Sequence, residues 1–203
     1  PAPKYASVSP ANSRTALVMP IYNEDPTRTT AALQAMAEAL ARADAAHYFE
    51  IVIISDSTQV DPWIGESLAV DRLRRELRDI MRVWYRRRWH NTGRKAGNVE
   101  EFVKRWGGRY DYMIVLDADS LMSAETLLEL VRRMQADPKL GILQTVPMLV
   151  GSFSLFSRVQ QFAGRVYGAL IARGVAAWSG NEGNYWGHNA IIRVAAFAQA
   201  CKS

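Results

Sequence analysis

Tyr112-Met-Ile-Val-Leu-Asp-Ala-Asp119 (YMIVLDAD, 112–119) is an apolar run that stops at two carboxylates. It reads as a strand with Asp117 and Asp119 at its carboxyl end. Two carboxylates in that place suit a hard divalent cation. Mg²⁺ or Mn²⁺ keeps several waters and completes its shell with carboxylates and substrate phosphates. As bare letters D-x-D is a weak pattern, because two turn-forming Asp residues before a helix look the same. Its meaning depends on the segments around it.

Those segments alternate between strands and helices. TALVMP (15–20) is a short apolar run stopped by Pro20, and FEIVIISD (49–56) is continuous in its apolar residues. Continuous runs are how strands read when a parallel sheet is covered on both faces. MRVWYR (81–86) is a third, more exposed strand, and GILQTV (141–146) a fifth. Between them lie helical patterns. Asp25-Pro26 starts one, carrying Leu33, Met36, Ala37 and Leu40. Asp61-Pro62 starts a second, with Val70, Leu73, Leu77 and Ile80 on one face. NTGRKAGNVEEFVKRW turns and becomes a short third. Ser123 caps a fourth, carrying Leu127, Val131 and Met134, and Asp137-Pro138 ends it.

The expected class is therefore α/β, a mostly parallel sheet with helices on both faces and right-handed crossovers. Such sheets bind ligands at the carboxyl ends of their strands. Tyr22-Asn23-Glu24, Asp56-Ser57 and Asp117-Ala118-Asp119 all fall just past strand ends. Three polar clusters far apart in sequence should meet on one edge.

Composition agrees. The 203 residues are 49% hydrophobic and 22% charged, which excludes disorder and collagen. One cysteine, Cys201, excludes a disulfide scaffold and fits a reducing compartment. No run of about 18 uncharged apolar residues occurs. Residues 1–13 are rich in Pro, Ser and Ala, read as a linker or loose end, and contain no apolar signal-peptide core. The net charge is +5, but ten Lys/Arg between Arg72 and Lys95 face only Glu76 and Asp79. That block carries +8 and leaves −3 for the rest. A basic block implies an anionic partner or a solvated helix face.

Arg94-Lys95-Ala96-Gly97-Asn98 puts cations and a close-approaching glycine at a helix start, where N–H groups favour anions. There is no G-x-x-x-x-G-K-[ST] and no G-x-G-x-x-G after the first strand, so neither a P-loop nor a Rossmann dinucleotide site is expected. Zinc spacing and a G-x-S-x-G elbow are also absent. Of His47, His90 and His188, only His188 stands in a loop placed for function. Beyond about residue 151, Phe156, Val159, Phe162, Val166, Leu170 and Ile171 keep helical spacing, with Arg158, Arg165 and Arg173 near one face. This predicts an amphipathic helix over 153–175 that completes a core or lies on a membrane surface.

Taken in order, Pro20-Ile-Tyr-Asn-Glu24, Asp56, Gly93-Arg-Lys-Ala-Gly97, Asp117-Ala-Asp119 and Gln144 resemble the GT-A fold of family 2 processive glycosyltransferases, the group of cellulose and hyaluronan synthases. PIYNEDPTRT, ISDST, RRRWHNTGRKAGN, DADS and NYWGHNAIIR look most like the branch that builds osmoregulated periplasmic glucans. The likeness runs from about residue 14 to the end.

The resemblance implies roles. Tyr22 and Glu24 resemble residues that hold the uracil and ribose of UDP-glucose, and Asn23 between them is likewise expected to bind the donor. Asp56 resembles the acidic reader of the uracil ring. Lys95 and Gly97 match the segment beside ribose and diphosphate. Asp117 and Asp119 resemble the carboxylates that hold sugar, ribose and the metal, Mg²⁺ or Mn²⁺. Gly187, His188 and Asn189 occupy the place that approaches the acceptor glucan. The family's general base lies in a later motif, yet no Asp or Glu follows Glu182. The Q-x-x-R-W acceptor motif and flanking transmembrane helices are missing too.

The resemblance thus implies a C-terminally truncated GT-A domain. It would be the donor half of an inverting UDP-glucose-dependent β-glucosyltransferase, soluble here but part of a multi-pass enzyme at the cytoplasmic face of the bacterial inner membrane. Its partners would be UDP-glucose, a growing glucan and the membrane, with no nucleic acid. The expected division is 1–13, a nucleotide-sugar domain over 14–150, and 151–203 as helix and acceptor-side region. Two other readings stay open: a metal-dependent nucleotidyltransferase-like enzyme, separable by NTP against UDP-sugar binding, and a non-enzymatic anion- or nucleic-acid-binding module.

Overall fold

The computed structural model describes residues 13–145 and 189–201. Strand β1 (Thr15–Ile21) is followed by helix α1 (Pro26–Arg42), β2 (Phe49–Ser55), α2 (Val60–Glu76), β3 (Val83–Arg87) and α3 (Arg94–Trp106). Then come β4 (Tyr112–Val115), α4 (Ala124–Ala136), β5 (Ile142–Gln144), β6 (Ala190–Arg193) and a short α5 (Val194–Ala200). The sheet has six strands in the order β3-β2-β1-β4-β6-β5. β1 pairs in parallel with both β2 and β4, and β2 with β3. β6 runs antiparallel to β4, with Tyr112 opposite Arg193 and Val115 opposite Ala190.

The continuous apolar runs have the expected cause: both faces of the sheet are covered. Leu17, Met19, Ile51, Ile53 and Ile114 point to one core with Leu33, Leu40, Leu73 and Leu127 of α1, α2 and α4. Ala16, Val18, Val52, Ile54 and Met113 point to the other, with Val99 and Phe102 of α3 and Val194 of α5. The period of two along each strand sends alternate residues to opposite layers. Truncating a fully buried leucine here, such as Leu33, costs about 2–5 kcal/mol.

The predicted helix caps hold at two places. The Asp25 side chain accepts from Thr27 N at 2.9 Å with Pro26 at N1, and Ser123 Oγ accepts from Thr126 N at 3.2 Å. Helix α2 differs. Gln59 is its N-cap and Val60 its first residue, so Asp61-Pro62 lie inside the first turn. Pro62 fits there because N–H groups of a first turn have no intrahelical acceptor.

Ala190–Arg193 carries no strand signal in the sequence. In the structure that segment returns to the sheet between β4 and β5, and α5 covers the α3 face. Residues 190–201, grouped by sequence with an acceptor-side region, thus join the main unit. The chain divides into two compact units, breaking at Leu143/Gln144 and at Asn189/Ala190. Of the expected linker only Ser13 is described: it is buried and accepts from Gln135 Nε2 at 3.1 Å. The expected helix over 153–175, Gly187 and His188 lie outside the described residues.

Candidate functional site: a cleft at the carboxyl edge of the sheet

The carboxyl ends of β1, β2 and β4 frame a cleft of about 830 Å³. Tyr22, Glu24, Asp56, Lys95, Asp117 and Asp119 all line it, so the three predicted clusters do meet on one edge.

The β2 side is densely bonded. Asp56 is only 4% exposed and pairs with Arg88, whose Nε and Nη2 each meet one carboxylate oxygen; the Nη2–Oδ2 distance is 2.9 Å. Asp56 raises the Arg88 pKa further by accepting these bonds. Arg88 also donates to Thr92 O at 2.9 Å, to Arg94 O at 2.7 Å and to Asn91 Oδ1 at 3.3 Å. One guanidinium therefore ties the end of β2 to the loop before α3. Asn23, at φ 53, bridges the β1 and β2 ends. Its N–H donates to Ser57 Oγ at 2.7 Å, and its Oδ1 accepts from Thr58 N and Gln59 N at 3.3 and 3.4 Å. Asn tolerates the left-handed region and suits this turn. Asn23 thus shapes the cleft edge rather than lining it.

The β4 side is built differently. Asp117 N donates to Ser120 Oγ at 3.2 Å and Ser120 N to Asp117 O at 2.9 Å, a tight turn that leaves both carboxylates near the cleft. Lys95 pairs with Asp117 across it, while Asp119 is exposed. Glu24 lies in the same field. Partial burial raises its pKa above the ordinary 4.5 and Asp117 and Asp119 add to the rise, outweighing the backbone bond at Tyr22 and the Lys95 charge, which lower it.

Helix α3 opens onto the cleft with Arg94 and Lys95. Gly93 at φ 70 and Arg94 at φ 51 are consecutive left-handed residues. The second is unusual for a non-glycine and is held by the Arg88 bond to its carbonyl. Gly97 does not line the cleft. A Cβ there would lie 2.2 Å from Thr92 O, so its smallness serves the loop's own closure.

The basic block does not act as one surface. Arg86 pairs with Glu101 at 2.9 Å, and the Arg87 guanidinium lies 4.8 Å from the Trp63 ring centroid and 4.5 Å from that of Trp89. Of the ten cations only Arg94 and Lys95 line the cleft. Arg28 and Asn91 line it too and were not foreseen; Arg28 sits in the first turn of α1, a position the capping signal Asp25-Pro26 already marks.

A divalent ion was expected at Asp117 and Asp119. Among the described residues no three His, Cys, Asp or Glu form a ready cage. The donor set nonetheless fits a cation that draws most of its shell from a ligand and water: two hard carboxylates on one turn, Asp119 exposed and Asp117 bonded through Oδ1 to the Lys95 ammonium. Asn189, from the predicted acceptor side, has φ 50, and its carbonyl accepts from Thr145 N at 3.0 Å and Oγ1 at 2.9 Å. Among the described residues no helix is long and apolar enough to cross a membrane.

A parallel-centred sheet with one inserted antiparallel strand, and a D-x-D turn facing an α-helix start, define a GT-A glycosyltransferase fold. The chain belongs to glycosyl transferase family 2, whose pattern matches residues 16–200. It is 48% identical over 200 residues to glucans biosynthesis glucosyltransferase H of Shewanella baltica, covering 98% of this chain and 28% of that protein. The same figures hold for the protein of that name from Shewanella oneidensis. The chain thus spans just over a quarter of the relatives it matches. Among solved structures, the mannosyltransferase PcManGT of Pyrobaculum calidifontis, in complex with GDP-Man and Mn²⁺, aligns with TM-score 0.52 at 22% identity. That match covers 68% of this chain and 37% of the other. Family membership sets aside the nucleotidyltransferase reading.

Proposed function

We propose that the cleft is the donor site of an inverting, UDP-glucose-dependent β-glucosyltransferase that extends a glucan. The observation that carries this is that the cleft is lined by charges of both signs: Asp117, Asp119 and Glu24 together with Arg94 and Lys95 of the first turn of α3. A nucleoside diphosphate sugar needs both signs. Its diphosphate needs cations, and the metal that accompanies it needs carboxylates. The likeness to glucosyltransferase H supplies glucose and glucan; PcManGT, solved with a nucleotide sugar and Mn²⁺, is consistent with a metal.

In this reading Tyr22 and Glu24 hold the uracil and ribose. Asp56, fixed by Arg88, presents its remaining lone pairs to the uracil edge. Asp117 and Asp119 hold a divalent cation, which when bound supplies Lewis-acid stabilisation of the leaving diphosphate. Lys95 and the first N–H groups of α3 meet the same developing charge, where preorganised donors lower the barrier most. An acceptor hydroxyl attacks the anomeric carbon from the face opposite UDP, and a base removes its proton.

Asp56 and Asp117 are paired with Arg88 and Lys95, so neither is assigned as that base. Acceptor approach is assigned to the segment with Gly187, His188 and Asn189, and 14–150 to the donor. In the longer protein the domain works at the cytoplasmic face of the inner membrane.

Titration calorimetry with UDP-glucose, GDP-mannose and UTP, each with Mn²⁺, tests donor class. UDP-glucose binding at least about tenfold tighter than GDP-mannose, a difference near 1.4 kcal/mol, is expected. UTP outcompeting UDP-glucose would overturn the reading.

A further inference from the structure

Glu66 is a buried carboxylate on α2, only 1% exposed, to which the chemistry above gives no task. An ionisable group in such a place is costly unless its oxygens are satisfied. Here hydroxyls satisfy them. Ser55 Oγ donates to Oε2 at 2.7 Å and Tyr85 OH to the same oxygen at 3.1 Å. Ser57 Oγ donates to Oε1. No ion pair to Glu66 occurs among the described residues.

The two serines flank Asp56. They hang from different oxygens of one planar carboxylate, so their separation is set by a rigid group. Each also accepts a bond from the backbone. Ser57 N donates to Ser55 Oγ at 3.1 Å, and Asn23 N donates to Ser57 Oγ at 2.7 Å. The chain of bonds therefore runs from α2, through both sides of Asp56, to the turn that carries Tyr22 and Glu24.

We propose that Glu66 is a positioning residue for nucleotide recognition: through Ser55 and Ser57 it sets the place of Asp56 and of the Tyr22–Glu24 turn relative to each other. The nucleotide part of this rests on the proposed function; the positioning of the turn does not. A carboxylate does what an apolar residue there cannot. Both of its oxygens accept, so each serine hydroxyl keeps its lone pairs for a backbone N–H.

The test uses Glu66→Ala, Glu66→Gln, Ser57→Ala and the double variant Glu66→Ala/Ser57→Ala. Two quantities are read: UDP affinity with Mn²⁺ by calorimetry, and amide hydrogen exchange at Asn23 against Ile53 in the middle of β2. Removing the acceptor of buried hydroxyls should weaken UDP about tenfold in Glu66→Ala. Glu66→Gln keeps one accepting oxygen and turns the other into a donor, so its UDP affinity should fall between that of Glu66→Ala and that of the parent. The double variant should be no worse than Glu66→Ala, because both act along one chain of bonds. Asn23 exchange should quicken in Glu66→Ala and Ser57→Ala while Ile53 stays as in the parent.

A merely structural role would lower the melting temperature and leave both readings unchanged; that result overturns the proposal. Should Glu66→Ala fail to fold, Ser57→Ala and Glu66→Gln carry the same two readings. If the parent binds no UDP, the donor-site reading falls, and the exchange at Asn23 still decides whether Glu66 holds the turn.

Discussion

The two sides of the cleft are built on opposite plans. At the end of β2, Asp56 is buried, paired with Arg88 and flanked by serines bonded to Glu66. At the end of β4, Asp119 is exposed and Asp117 is bonded to Lys95 across the gap, with Glu24 of the turn after β1 in their field. The first wall is complete without a ligand. The second carries charge that a cation and a phosphate would balance. In the proposed reading the first wall reads a rigid ring and the second meets a mobile, highly charged group, which gives reason for the one to be stiff and the other open to a ligand.

Breaking the finished wall should cost the fold most. Arg88→Ala leaves the Asp56 carboxylate buried without its partner, and removing one member of a buried pair costs about 3–5 kcal/mol. Urea unfolding should show this as a lower midpoint. Replacing both members, Arg88→Met with Asp56→Leu, should recover much of the loss and would separate pairing from packing.

Next is Gly97→Ala. Its new Cβ meets a backbone oxygen, which cannot rotate away, so α3 or the loop must shift, at about 1–3 kcal/mol. Thermal unfolding measures it, and a variant as stable as the parent would remove the loop-closure account of Gly97.

At Glu24, on the turn after β1, the sign reverses. Glu24 has a raised pKa, so its folded-state ionisation opposes folding. The favourable, protonated form is fully present below pH 4.5 and is lost as pH rises through the raised folded value. Glu24→Gln should therefore raise the melting temperature modestly at pH 7 and leave it unchanged near pH 4. A variant less stable than the parent at neutral pH would mean that Glu24 is held by a favourable partner. Asp119→Asn should change stability least, within about 0.5 kcal/mol, as surface substitutions do.

Much of this was legible in the sequence, for reasons particular to each element. β1, β2 and β4 are continuous apolar runs because helices cover both faces, and their polar ends fall on one edge because parallel strands share a direction. β6 was not legible. Ala190–Arg193 is four residues long, and only its pairing with β4, far back in the chain, makes it a strand.

Asp56 stands out in the sequence as a carboxylate just past a strand end, whereas its partner does not: Arg88 reads as one cation in a run of ten. Glu66 gave no signal at all, since a glutamate in GESLAVDR looks like any exposed helix residue until Ser55 and Ser57 are brought above it. Gly97 was singled out for the right property and the wrong neighbour: it makes a close backbone approach, to Thr92 rather than to the cleft.

In the proposed reading a cation together with a nucleoside diphosphate completes the β4 wall. UDP titrated calorimetrically into the parent chain and into Asp119→Asn, each with and without Mn²⁺, tests it most directly. Mn²⁺ should tighten UDP binding at least about tenfold in the parent, and Asp119→Asn should lose that gain while its unfolding curve stays in place. Equal UDP affinity with and without Mn²⁺ in the parent, or an undiminished Mn²⁺ effect in Asp119→Asn, would contradict it.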